Sequence, residues 1–250
     1  MPALPAVRYR AEPVPALFLD RPNRYLARVR LPGSDEAVLA HVPNPGRMEE
    51  LLRPGRTRGW VVPVDRFGRR TAFDLIAVRH RGTIVSVDSR VANRLVGRVL
   101  EAGLLPELGP GPWRAEQPWG GSRFDFARPS GRGDIRALLE VKSSNLRQGE
   151  WATFPDAPTT RGTRHLRHLA GAARSGVSAT VLFAVQRSDV RRFRPNARLD
   201  PEFAAALSEA ARAGVKILAH TLHVLPGAVR WGREVPVELK IASSGLPESI

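Results

Sequence analysis

The chain has 250 residues, of which 42% are hydrophobic, and it contains no cysteine. This composition excludes a disordered protein, a disulfide-stabilised scaffold and any site that depends on a thiolate. The formal net charge is +15, and arginine supplies nearly all of the positive side. Such an excess of cations favours a polyanionic partner, although an arginine-rich codon bias would also raise the count.

Residues 1–16 are interrupted by prolines and arginines and lack the apolar core of a signal peptide. No segment of the chain approaches the ~18 consecutive apolar residues of a membrane helix. We therefore expect a cytoplasmic protein without membrane segments, in which residues 1–16 form an N-terminal extension.

Residues 17–88 contain short segments of alternating hydrophobicity that are separated by Gly, Pro and Asp. The segments are "RYLARVRLP", "AVLAHVP", "RPGRTRGWVVPV", "TAFDLIAVRH" and "IVSVDS". Strands of this length and spacing predict a small β-barrel of the five-stranded oligonucleotide-binding (OB) type. A β-sandwich of the same size would show a similar pattern.

The periodicity changes at about residue 89, and residues 89–238 alternate between helical and strand patterns. Helices are expected over 89–103, 160–175 and 200–214, the last with Asp200 as its cap. The expected strands are "RFDF", "ALLEVKS", "SATVLFAVQ" and "VKILAHTLHV". This order predicts an α/β domain with a mixed sheet flanked by helices. The whole chain is then an α+β two-domain protein with a flexible tail over 239–250.

Two of these strands carry charges where a buried strand would normally carry apolar residues. Glu140 and Lys142 are two residues apart and therefore share one face of their strand, and Asp125 lies on the preceding strand. Adjacent strands are about 4.8 Å apart, so both carboxylates could bind one Mg²⁺ or Mn²⁺ ion, with Lys142 beside an attacking water. This is the PD-(D/E)xK arrangement of restriction-endonuclease-like nucleases. A solvated strand face with a chance ExK spacing is the alternative.

Longer motifs make the chain similar to a known family over roughly residues 17–237. They are "HVPNPGRM" at 41–48, "ANRL" at 92–95, "SRFDF" at 122–126, "LEVKSSNL" at 139–146, "FPDAPTTRGTRHLRHL" at 154–169 and "DPEFAAALSEAARAGVKILAH". With these motifs the chain resembles the sugar fermentation stimulation protein family. The resemblance implies an N-terminal OB barrel, a nuclease-like second domain, non-specific DNA binding and a regulatory role in sugar (maltose) metabolism. It also maps the nuclease motif onto Asp125, Glu140 and Lys142.

The helix after "NRL" departs from the family pattern, because Arg98 stands where the family has a glutamate. A cation at that position would oppose metal binding, and Glu101, one turn further on, is a candidate substitute. Glu116 is either an outer-shell metal ligand or a strand-end charge paired with an arginine.

Several cations are candidates for contact with the phosphates of DNA. They are Arg47, Arg53, Arg56, Arg123, Arg161 and His165. His165 could instead pack inside the domain. Asn44 and Gly46 are expected to form a turn with unusual backbone angles at the barrel rim. Trp60, Phe67 and Phe73 could stack on bases, but at least two of them are expected in the core.

The sequence thus predicts a DNA-binding protein of low sequence selectivity with a nuclease-like domain. An active Mg²⁺- or Mn²⁺-dependent phosphodiesterase is the alternative. A regulator that uses a nuclease scaffold only for binding is a third interpretation.

Overall fold

The computed structural model describes residues 4–65 and 68–239, which form two domains. The chain passes from the first domain to the second between Ser86, the end of the last barrel strand, and Arg90, the start of the first helix. Most of the predicted flexible tail, residues 240–250, lies outside the described residues. Within the described ranges, no helix has the length and hydrophobicity that crossing a membrane requires.

The first strand, β1 (Ala6–Arg8), belongs to the second domain, and the next six strands build the first domain. These six are β2 (Val14–Asn23), β3 (Leu26–Arg30), β4 (Ala37–His41), β5 (Arg58–Pro63), β6 (Phe73–His80) and β7 (Thr83–Ser86). Their order in the sheet is β4-β3-β2-β5-β6-β7, and a parallel pairing of β4 with β6 closes it. Alternate side chains such as Phe18, Val29 and Val61 fill the interior. The predicted OB-type barrel is therefore confirmed.

The second domain is built on a seven-stranded mixed sheet in the order β1-β16-β15-β13-β10-β9-β8. Its remaining strands are β8 (Arg114–Trp119), β9 (Ser122–Pro129), β10 (Ile135–Ser144), β13 (Ser178–Val185), β15 (Lys216–Leu225) and β16 (Ala228–Glu234). β10, β13 and β15 are parallel to one another, and the other pairs are antiparallel. A small second sheet contains β11 (Leu146–Gln148), β12 (Trp151–Phe154) and β14 (Arg192–Pro195).

Three helices cover this sheet, as the sequence predicts: α1 (Arg90–Glu101), α2 (Thr160–Arg174) and α3 (Pro201–Arg212). α1 packs on one face, with Leu139 and Val141 of β10, while α2 and α3 pack on the other, with Leu138. The Asp200 side chain accepts a hydrogen bond from the Phe203 backbone N–H, so the predicted cap of α3 is present.

The N-terminal segment differs from the expected extension over 1–16. β1 pairs antiparallel with β16, and Val7, opposite Val229, is buried in the core beside α1. β2 also begins within this range, at Val14. Residues 6–8 therefore form an edge strand of the second-domain sheet, whereas the segment from Val14 begins β2, which lies between β3 and β5 in the barrel.

Candidate active site

β10 positions the first two candidate residues. Glu140 and Lys142 project from one face of β10, and Val141 between them is buried against the core beside α1. The Glu140 carboxylate is buried, and the Lys142 ammonium lies 2.5 Å from its Oε1 atom. The chain thus buries an acid at the sheet centre, where it can remain charged only with a cationic partner.

Asp125 lies where β9 separates from β10. The two strands pair up to Leu139 and Phe126, and the next pair in register would be Glu140 and Asp125. The Asp125 carboxylate instead accepts a hydrogen bond from the Val141 backbone N–H at 2.7 Å. The side chain therefore contacts the β10 backbone between Glu140 and Lys142, near enough for both of their charges to shift the Asp125 pKa.

Asn93 of α1 is a site residue that the sequence analysis did not single out. Its side-chain nitrogen donates a hydrogen bond to Oδ1 of Asp125 at 2.6 Å. It lies in the "ANRL" motif, whose residues by themselves do not indicate this role. Only the packing of α1 on the sheet brings residues 93 and 125 together.

The position of His165 requires a correction, because a buried side chain cannot contact phosphate as predicted. His165 is 3% exposed, and its Nδ1 atom lies 2.6 Å from Oε1 of Glu140. Its ring also packs against Phe124, with the ring centroids 5.7 Å apart. The residue lies on the inner face of α2 with Leu166 and Leu169, and this helical spacing turns it inward. The structure therefore shows the alternative in which His165 packs inside the domain.

The two carboxylates have opposite pKa shifts. Burial, and then the negative charge of Glu140, raise the pKa of Asp125 to about 6. Burial opposes ionisation of Glu140 too, but the His165 hydrogen bond and the Lys142 charge outweigh it and lower its pKa. The Oε2 atom of Glu140 is buried and has no hydrogen-bond partner. An unpartnered carboxylate oxygen at such a site is costly unless something binds there.

The other candidate acids do not reach this site. Glu116 pairs with Arg123 at 2.8 Å, and both side chains are largely exposed, so the strand-end ion pair is the observed alternative. Glu101 is exposed and lies eight residues after Asn93, which corresponds to about 12 Å along the helix. The Arg98 guanidinium donates to the Ala6 carbonyl, and Arg98 therefore holds β1 rather than facing Asp125.

The remaining predicted phosphate contacts are on the surface. Arg47, Arg53 and Arg56 are exposed in the barrel domain, and Arg161 is exposed on the first turn of α2. Trp60 and Phe73 are partly buried against the cores, while Phe67 lies outside the described residues. Exposed guanidiniums of this kind are available for ionic contacts with a polyanion.

The "HVPNPG" loop of the barrel docks on the second domain. Asn44 Oδ1 accepts from the Gly46 backbone N–H, so the expected turn is present, but neither residue has a positive φ angle. Glycine is needed for another reason, since a Cβ at position 46 would lie 2.2 Å from Oδ2 of Asp156. Arg21 fixes the loop by donating to the carbonyls of Asn44, Gly46 and Arg47.

The loop also contributes to a small polar cavity next to the site. The cavity is lined by Asn44 together with Ser143 and Asn145, which follow Lys142 on the chain, and by Thr153 and Asp156. The barrel therefore contacts the second domain within a few residues of the Glu140–Lys142 pair.

The chain is similar to known proteins over both domains. A family model described as "sugar fermentation stimulation protein RE domain" matches residues 90–228, and an "SfsA N-terminal OB domain" matches residues 19–87. The second domain is accordingly restriction-endonuclease-like, as predicted.

Relatives named sugar fermentation stimulation protein homolog include the protein of Moorella thermoacetica, 41% identical over 93% of this chain and 100% of the relative. The homolog of Symbiobacterium thermophilum is 44% identical over 90% of this chain and 94% of the relative. A solved structure of Pyrococcus furiosus SfsA in complex with Ca²⁺ is similar with a TM-score of 0.83 and 33% identity. It covers 94% of this chain and 100% of that chain. The chain therefore belongs to the sugar fermentation stimulation protein family.

Proposed function

We propose that this protein binds DNA without sequence specificity and that its second domain hydrolyses phosphodiester bonds with Mg²⁺ or Mn²⁺. The observation that carries the proposal is the convergence of Asp125, Glu140 and Lys142 at the gap between β9 and β10, where Oε2 of Glu140 has no partner. These side chains supply the acid–acid–lysine residue set of the PD-(D/E)xK motif from the neighbouring strands β9 and β10.

The donor set fits a hard divalent cation. Asp125 and Glu140 would supply carboxylate oxygens, and Mg²⁺ is commonly held by one or two carboxylates, with water and substrate phosphate as further ligands. The Pyrococcus furiosus relative, 33% identical, binds Ca²⁺, another cation that prefers oxygen ligands. When bound, such an ion lowers the pKa of a coordinated water and polarises the phosphate.

The side chains around the ion have separate roles in this proposal. The Lys142 ammonium stabilises the negative charge that develops on the phosphate during attack. Asn93 and His165 are positioning residues, because they hold the carboxylates of Asp125 and Glu140 by hydrogen bonds of 2.6 Å each. Both acids are thus fixed from opposite sides of the sheet before substrate arrives.

The DNA partner is supported by the net charge of +15 and by the OB-type barrel. Arg47, Arg53, Arg56, Arg123 and Arg161 are the proposed phosphate contacts. Binding through phosphates predicts an affinity that falls steeply with salt and depends little on base sequence. With this DNA partner, the proposed location is the cytoplasm.

The direct test is cleavage of labelled duplex DNA, single-stranded DNA and RNA with Mg²⁺, Mn²⁺ or EDTA. We expect metal-dependent cleavage by the natural protein and a loss of at least about 100-fold in Glu140→Gln, which removes a proposed ligand charge. Glu209→Gln is the matched control, because it makes the same change at an exposed glutamate of α3. Equal residual activity in all three proteins would identify a contaminating nuclease and reject the proposed catalysis.

A non-catalytic DNA-binding regulator of sugar (maltose) metabolism is the second candidate. Two observations favour it. The side chain of α1 that contacts Asp125 is the amide of Asn93, which is not a carboxylate and brings no negative charge to a metal ion. Within residues 4–65 and 68–239, no group of three or more metal-binding side chains is present. This candidate predicts salt-dependent DNA binding without cleavage under any metal condition. The assay above therefore separates the two functions.

A further inference from the structure

The outer face of the barrel carries a groove that is separate from the Asp125–Glu140 site, and one of its lining residues, Trp60, also packs against the core where the two domains meet. Its volume is about 540 Å³, within the usual range for ligand sites. Its lining includes the apolar side chains of Leu17, Leu31 and Pro32 and the aromatic side chain of Trp60. Three arginines surround it: Arg30, Arg58 and Arg79.

The strand register brings these arginines together. Leu17 of β2 pairs with Arg30 on one side and with Arg58 on the other. The pairing of Gly59 with Val78 then places Arg58 opposite Arg79 on the neighbouring strands β5 and β6. Neighbouring strands are about 4.8 Å apart, so the row holds three positive charges across four strands.

This row is electrostatically unfavourable in the free protein. Like charges directly opposite each other on neighbouring strands destabilise a sheet. Throughout the described part of the chain, Arg30, Arg58 and Arg79 form no salt bridge with a carboxylate. An anionic ligand in the groove would supply the missing negative charge.

The Trp60 side chain indicates which class of anion the groove would bind. The Arg79 guanidinium lies over the Trp60 indole, with 5.4 Å between its central carbon and the ring centroid. Nucleobases stack on aromatic rings and on guanidinium planes, and their phosphates pair with the remaining cations. An acidic peptide would pair with the arginines but offers no planar ring beside each charge. A base can stack in this way only when it is unpaired.

We propose that this groove binds single-stranded nucleic acid, with a base against the Trp60–Arg79 stack and phosphates on Arg30 and Arg58. The inference rests on the nucleic-acid partner in the proposed function but not on catalysis, because the groove lies on the barrel and shares no residue with the Asp125–Glu140 site. In this proposal, the barrel binds the single-stranded nucleic acid next to the second domain.

The test is the anisotropy of a fluorescein-labelled oligo(dT) titrated with the full chain in EDTA, where no metal-dependent cleavage occurs. Arg58→Ala combined with Arg79→Ala is expected to weaken binding at least tenfold. It should also reduce the slope of log K against log salt by about 0.7, since Arg58 is the one proposed phosphate contact removed and each single-strand contact contributes about 0.7. Arg174→Ala combined with Arg212→Ala is the matched control, because both arginines are exposed at the ends of α2 and α3.

Folding of the double variant is checked by its melting temperature, which should not fall, because the change removes two exposed and mutually repelling charges. Equal losses in the two double variants would show diffuse charge attraction and overturn the groove proposal. Displacement of oligo(dT) by poly-glutamate at equal charge would overturn it in favour of an acidic peptide.

The two proposals fail separately. If the groove does not bind single strands, cleavage of a short substrate at saturating concentration should be unaffected. If the protein has no phosphodiesterase activity, oligo(dT) binding in EDTA should be unaffected.

Discussion

The Nδ1 atom of His165 lies 2.6 Å from Oε1 of Glu140, inside a domain core where His165 is only 3% exposed. Lys142 contacts the same oxygen, at 2.5 Å, so both hydrogen bonds converge on Oε1 and leave Oε2 free. The histidine and the lysine together therefore determine which carboxylate oxygen of Glu140 is left without a partner. Glu140 is held by helix α2 as well as by its own strand.

His165→Ala should weaken Mn²⁺ binding and cleavage by about 10- to 100-fold, since removing a side chain that orients a metal ligand has an effect of that size. Mn²⁺ affinity measured by calorimetry is the readout, and His165→Gln, which keeps an N–H donor, should recover part of the loss. If His165→Ala lowers only the melting temperature and leaves Mn²⁺ affinity unchanged, the residue serves packing alone.

The charge of Glu140 should be visible in the titration of Asp125. Because that charge contributes to the raised pKa of Asp125, Glu140→Gln should lower this pKa from about 6. The pKa should nevertheless stay above its ordinary value, because burial is the larger cause. Carboxyl ¹³C shifts in the metal-free protein measure it directly. An unchanged titration would mean that the two carboxylates do not share one site.

The same shift should make the stability of the metal-free protein depend on pH. The folded pKa of Asp125 is raised above its ordinary value of 3.8, so folding favours the protonated form. Its contribution to the free energy of unfolding is full below about pH 4 and is lost as the pH rises through 6.

Urea unfolding of the natural protein and Asp125→Asn, which does not titrate there, measures this contribution as a difference. We expect the difference to change by on the order of 2–3 kcal/mol between pH 4 and 7. A difference that is constant with pH would contradict the raised pKa.

The contact between the two domains should depend on Gly46. A methyl group at this position would overlap the Asp156 carboxylate, so Gly46→Ala should lower the free energy of unfolding by about 1–3 kcal/mol. Asp156→Ala makes room for that methyl group, and the double variant should be less destabilised than the sum of the single changes. Chemical denaturation of all four proteins gives the coupling, and strict additivity would show that the loop does not press on Asp156.

Arg187 should be among the most sensitive positions for stability. Its side chain is fully buried, pairs with Asp189 at 2.6 Å, donates to the Asn145 carbonyl and approaches His80 of the barrel at 3.2 Å. Arg187→Met leaves Asp189 without its main partner and should cost about 3–5 kcal/mol.

Arg192→Met is the comparison for Arg187→Met, since Arg192 forms a half-exposed pair with Glu238 and should cost about 0–1 kcal/mol. Thermal and urea unfolding measure both. Equal small effects would show that the buried pair contributes little.

Local patterns in the sequence were sufficient to predict the three α-helices and nine of the sixteen strands of the described residues. The spacing of apolar residues in 89–103 matches α1, and Asp200 before a proline matches the observed cap of α3. The period of two along β10 also placed Glu140 and Lys142 on one face. These features depend on neighbours a few residues away, so the sequence displays them directly. The sequence did not predict the strands β1, β2, β8, β11, β12, β14 and β16. β1 (Ala6–Arg8), for example, pairs with Ala228–Arg230 at the other end of the chain, which no local pattern indicates.

Which side chains surround the site was decided by the tertiary structure. Asn93, Asp125 and His165 come from a helix, a strand and a second helix, and no local pattern relates them. The row of Arg30, Arg58 and Arg79 likewise follows from strand register. A sequence shows periodicity because backbone geometry repeats over a few residues. Contacts between distant segments instead depend on how whole elements pack, and that packing is set by the buried surface of the entire fold.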